Sequence, residues 1–167
     1  MKTFAFTFLA IAALALTATS TDAKTIKLPN DEFAFAQISI PDSWEPSEVT
    51  NGVEATSPDK AVYISAVGVG SDKGMDAEIE DTFTMLKDHN VELDDKSKKE
   101  QKFKIGEFEA TELMFQGKDE DGPAGISICF VPIKNKVLVL TYWVNTAEEG
   151  KHQDEVGKIV KSIKAAE

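Results

Sequence analysis

The chain has 167 residues and a formal net charge of −11, from 29 acidic residues against 18 basic ones. Every basic residue is a lysine, so two-pronged guanidinium recognition of phosphate or carboxylate is excluded. An acidic surface repels nucleic acid and anionic membranes, so no nucleic-acid partner is expected.

Residues 1–23 have the layout of a secretory signal peptide. Lys2 gives a short basic start, residues 3–18 are apolar and uncharged, and Thr21-Asp22-Ala23 offers a small residue for cleavage. The apolar run is short of the roughly 20 residues that span a bilayer. It contains no cysteine, which excludes a lipid-anchored cleavage site. A periplasmic or secreted location follows, with no membrane span after cleavage. Residues 24–167 contain no repeat, low-complexity tract or linker, and read as one domain of about 144 residues.

Residues 33–40 alternate, with Ala36, Ile38 and Ile40 on one side, which predicts a half-buried strand. Pro41-Asp42 ends it. Trp44 follows where a polar loop residue is expected, and two readings stay open: a lid over the core, or the wall of a binding site. Asn51-Gly52 predicts a hairpin, because both residues accept positive φ. After a turn at 57–60, residues 61–69 form an apolar β-rich run that suits a strand covered on both faces.

Residues 75–90 place Met75, Ile79, Phe83 and Leu86 on one helical face. Acidic residues early and Lys87 late suit the helix dipole, and Asn90 suits the C-terminal cap. The segment DDKSKKEQ at 94–101 reads as a mobile charged connection. Residues 102–105, 108–116, 124–133 and 137–144 then read as a four-strand meander, with VLVLTYWV placed centrally. Within it, Tyr142 and Trp143 face opposite sides. Residues 152–164 carry Val156, Ile159, Val160 and Ile163 at helical spacing. The expected class is α+β: a central antiparallel sheet with helices packed on it.

Chemistry-bearing patterns are sparse. Cys129 is the only cysteine, so no intrachain disulfide can form. In the apolar run ISICFV it reads as a buried, inert thiol, with a reactive or intermolecularly paired thiol as the alternative. The acidic loop with Asp119 and Asp121 has ligands that calcium accepts, but it lacks the calcium-loop spacing and reads first as a solvated hairpin, with a calcium site as the alternative. His89 and His152 sit at helix ends. With Asp88 or Asp154 they could bind a divalent metal if the fold brings them together, although no metal-site spacing is present. The glycines of GVGSDKG at 68–74 lack the G-K-[ST] ending of a phosphate loop. No nucleophile or zinc-protease signature occurs, so no catalytic residue and no cofactor are assigned.

Several segments in order, ISIPDSWE, SPDKAVYISAVGV, FKIGEFEATELMFQG, GISICFVPIKNKVLVLTYWV and VGKIVKSIK, resemble the PsbP/Mog-like superfamily. It includes extrinsic photosystem proteins, Mog-type Ran-binding proteins and exported bacterial DcrB-like proteins. The resemblance implies an α/β/α sandwich with helices on both faces of the sheet. It also implies non-catalytic accessory or binding roles, with metal binding in some members. Ile40, Pro41 and Trp44 match the family's pattern, where that feature looks structural. The exported leader does not fit the Ran-binding or photosystem roles. The expectation is an exported, non-catalytic domain of the cell envelope that binds a protein partner, or alternatively a small-ligand or divalent-metal binder.

Overall fold

The computed structural model describes residues 22–69, 75–148 and 150–167. The predicted signal peptide up to residue 21 and the glycine-bearing segment 70–74 lie outside the described residues. Among the described residues the elements run β1 (Ala23–Leu28), β2 (Ala36–Pro41), β3 (Ser47–Val49), β4 (Gly52–Thr56), β5 (Val62–Val69), α1 (Met75–Asp88), β6 (Glu92–Ile105), β7 (Phe108–Asp119), β8 (Gly122–Ile133), β9 (Lys136–Asn145), α2 (Gln153–Lys161) and β10 (Lys164–Ala165).

A seven-stranded sheet has the order β3-β4-β5-β9-β8-β7-β6, and a three-stranded sheet has the order β1-β2-β10. All pairings are antiparallel. The four-strand meander forms as expected, and β9 is the central strand of the large sheet. Its sequence explains the placement: VLVLTYWV has no polar face to give to solvent.

Period-2 alternation sorts the side chains of the large sheet into two cores. Tyr63, Val139, Trp143, Phe115 and Ile126 share one cluster with Leu86 of α1, and Phe83 and Met85 pack against it. Val62, Ile64, Leu138, Leu140, Cys129 and Ile105 share the other with Leu28, Ile38 and Ile40 of the small sheet and Ile159 of α2. Tyr142 packs against this second cluster and Trp143 belongs to the first, as strand geometry requires. Each buried Leu or Ile removed from water contributes about 1.5–3 kcal/mol.

The α+β class holds, but the layers differ from the expectation. A second sheet shares one face of the large sheet with α2, whereas helices alone were expected to cover it. β1 was not foreseen, and the last predicted helix is shorter than 152–164. It ends at Lys161, and Lys164–Ala165 then pair with β2 at Gln37 and Ala36. Ser162 fixes the switch, because its Oγ accepts the Ser39 N–H at 2.8 Å.

Two further expectations are corrected. The charged segment 94–101 lies inside β6, the edge strand of the large sheet. It pairs with β7 through a register shift between Asp94 and Lys99. Ser97 stitches this bulge: its Oγ donates to Asp94 O at 2.6 Å and accepts the Gln116 N–H at 2.7 Å. Rows of lysine are what an exposed edge needs to discourage pairing with another chain. The hairpin near residue 51 does form, with Val49 opposite Gly52, so the turn residues are Thr50 and Asn51. Asn51 alone takes positive φ, at 60°. Gly52 is in the strand for another reason: a Cβ there would collide with the Ala66 carbonyl oxygen.

Candidate functional site

Between the α2 helix and the β5, β9, β8, β7 and β6 strands is a cavity of about 470 Å³. The sequence builds it simply. Alternation on the central strands delivers Val62, Leu140, Tyr142, Val144 and Cys129 to the floor, and Phe103 and Ile105 of β6 close one side. Val156, Gly157 and Val160, three and four apart on α2, form the roof. Lys104, Lys161 and His152 also line it.

One ionisable side chain sits among these apolar groups. Glu112 is only 6% exposed and lines the cavity. Its Oε2 accepts a hydrogen bond from Gln101 Nε2 at 2.5 Å. Its Oε1 accepts a short bond from the Ser127 hydroxyl and a long one, 3.4 Å, from the Tyr142 hydroxyl. No cation pairs with it among the described residues. Burial, and secondarily the Glu112 charge, push the Cys129 thiol up to about 12. The same two causes raise Tyr142. Both groups therefore stay protonated and neutral at physiological pH, and Cys129 is a buried free thiol.

His152 stands where the chain enters α2. Its Nδ1 donates to Glu155 Oε2 at 2.6 Å and its Nε2 donates to Asp59 at 2.9 Å. Burial disfavours its charge and is the largest single influence. The hydrogen bonds and negative charges of Glu155 and Asp59 together outweigh it and raise the pKa. Asp59 is held far below the ordinary carboxylate range, first by Lys151 at 2.5 Å and then by His152 and Ser57. Lys151 is raised in turn, by Asp59 and then Glu148.

The other sequence candidates fall elsewhere. His89 rests against Tyr63 and Trp143, with ring centroids 4.8 and 5.5 Å away, on the α1 face. His152 meets Trp44 edge-on at 5.9 Å. The two histidines thus belong to opposite faces of the sheet and share no partner. Asp119 Oδ1 accepts the backbone N–H groups of Asp121 and Gly122, at 2.9 and 3.1 Å, so this carboxylate serves its own hairpin turn. Asp121 is exposed at the turn's tip. Among the described residues no group of three or more His, Cys, Asp or Glu side chains is placed to hold a metal ion.

Trp44 is buried in the core. It is 1% exposed, in a short 3-10 turn at Asp42–Trp44, and belongs to the core with Ile38 and Ile40. Its indole Nε1 is buried without a hydrogen-bond partner among the described residues. Sequence reading missed Glu112 and the cavity. The signal was present in FEATELMFQG: stepping by two from Phe108 through Ala110 puts Glu112 on the inward face.

The fold is similar to that of a cyanobacterial PsbP. The solution structure of cyanobacterial PsbP (CyanoP) from Synechocystis sp. PCC 6803 matches with a TM-score of 0.57 and 9% identity, over 90% of this chain and 96% of that one. A crystal structure from Bacteroides thetaiotaomicron VPI-5482 matches with a TM-score of 0.54 and 12% identity, over 80% of this chain. The match spans about half, 46%, of that longer chain. LpqN, involved in cell envelope biogenesis of Mycobacterium tuberculosis, matches at 0.48 with 16% identity, over 79% and 83% of the two chains. No known family profile matches the sequence, and no curated protein does either.

Proposed function

We propose that this chain is an exported, non-catalytic accessory domain of the cell envelope, and that it works by holding a small ligand in the cavity beneath α2. The cavity carries this reading. Its volume of about 470 Å³ lies in the range of small-molecule sites, and its lining is apolar with a few convergent polar groups. Phe33 is the one large hydrophobic side chain exposed among the described residues, so apolar surface is gathered inside the cavity and not on the outside. That favours a small ligand over a broad protein-docking face.

The non-catalytic part of the reading is supported by the chemistry of the lining. Cys129 stays a thiol, and His152 gives both ring nitrogens to carboxylates, so neither of these lining groups is set up as a nucleophile with a free base. Export is supported by the apolar leader pattern. No helix among the described residues is long and apolar enough to cross a membrane. The layered arrangement, with a helix on each face of the sheet, is supported by Leu86 and Ile159 falling in different cores. The test is a thermal-shift screen of apolar small molecules against the mature domain, repeated on Gly157→Leu. The expected result is stabilisation of the wild type that the variant loses. Turnover in a hydrolase panel, abolished by substituting a cavity residue, would overturn the reading.

A further inference from the structure

We infer that the ligand of this cavity is an organic cation, a primary ammonium group carried on an apolar arm, with the ammonium on Glu112 and the arm running under α2. This rests on the cavity being a ligand site and adds the class of ligand. Two independent observations carry it. The first is the state of Glu112. A carboxylate removed from water needs a counter-charge or a full set of donors. Among the described residues Glu112 has only neutral donors, and they are unevenly spread: Ser127 and Tyr142 on Oε1, Gln101 alone on Oε2. Each carboxylate oxygen has two lone-pair directions, so Oε2 has room for a further donor. The exposed lysines that line the cavity, Lys104 and Lys161, do not pair with it. An ammonium group supplies both the charge and the donor. Tyr142 and Phe103, also in the lining, present aromatic rings that favour a cation over an anion.

The second observation is Gly157. It lies in the interior of α2, where glycine costs about 1 kcal/mol against alanine. It has no positive φ to justify it, and a Cβ built there meets nothing within 4 Å. The fold itself therefore does not require glycine. A ligand arm passing beneath the helix does, because any side chain at 157 would occupy its path.

The experiment uses n-hexylammonium, n-hexanol and n-hexanoate, titrated by calorimetry into the mature protein and into Glu112→Gln and Gly157→Leu. Hexylammonium is expected to bind the wild type at least about tenfold more tightly than hexanol, the ratio that one charge-assisted hydrogen bond supplies. Hexanoate is expected not to bind. Glu112→Gln should remove the preference for ammonium and leave hexanol unchanged, while Gly157→Leu should abolish binding of both. If hexanol or hexanoate binds the wild type as tightly as hexylammonium, the cation is refuted and the cavity remains a ligand site. If no probe binds and apolar molecules in the wider screen also fail, both readings fall. The comparison of the three probes on wild type decides the matter even if Glu112→Gln does not fold.

Discussion

At Trp44 a single atom carries an unmet need. An unsatisfied buried donor costs about 1–3 kcal/mol, so replacing the indole with a ring that lacks the N–H offsets part of the lost volume. Trp44→Phe is expected to destabilise far less than Trp44→Ala, for which large-to-small core data give about 3–5 kcal/mol. Urea unfolding of the two variants measures the gap. His152 yields a second expectation. Its folded pKa is raised above the ordinary histidine value of 6.5, so its stabilising contribution is complete below that value. It is lost as pH rises through the folded pKa. Asp59 behaves in the opposite sense: its contribution is present above its ordinary value of 3.8 and is lost as pH falls below it. The stability difference between wild type and His152→Asn should therefore be largest between about pH 4 and 6.5 and shrink in alkaline buffer. Following the His152 ring by NMR should show an elevated midpoint that moves down in Asp59→Asn.

Strands and helices were legible in proportion to how strongly burial patterns them. The β5 and β9 segments read directly, because runs such as VYISAV and VLVLTYWV have only one physical use in a domain this size. The α1 helix read well for the same reason, down to Asn90, whose φ of 56° makes it the left-handed cap. The β6 strand was misread because one side of it pairs with β7 and the other meets water, so charge is tolerated along most of its length. Its regularity depends on a single hydroxyl, which predicts that Ser97→Ala will speed hydrogen exchange at the Gln116 amide while leaving that of the central β9 strand unchanged. At Gly117 a Cβ would collide with Glu92 O and meet Ile126 Cδ1 at 2.8 Å. Gly117→Ala should therefore lower the thermal midpoint by several degrees, whereas Gly157→Ala, with open space ahead of it, should raise it.

For the molecule as a whole, the class and the sheet were readable and the cavity was not. A hollow is a relation between α2 and five strands spread along the chain, and no local pattern encodes the distance between them. Only its polar member left a trace, a glutamate at an inward position of β7. The small sheet was hidden for a related reason: β10 is two residues long, and its pairing with β2 is set by Ser162 and not by a hydrophobic run.

That pairing brings residues 164–166 back to residues 35–37. The Ala166 N–H donates to Phe35 O at 3.0 Å, and Lys134 Nζ donates to Ala166 O at 3.4 Å. The small sheet therefore cannot close without residues 164–166, and until they dock β2 lacks one neighbour and the core beneath it is incomplete. Removal of residues 162–167 would leave that sheet open, and limited proteolysis of the truncated chain would show it as cleavage at β1 and β2.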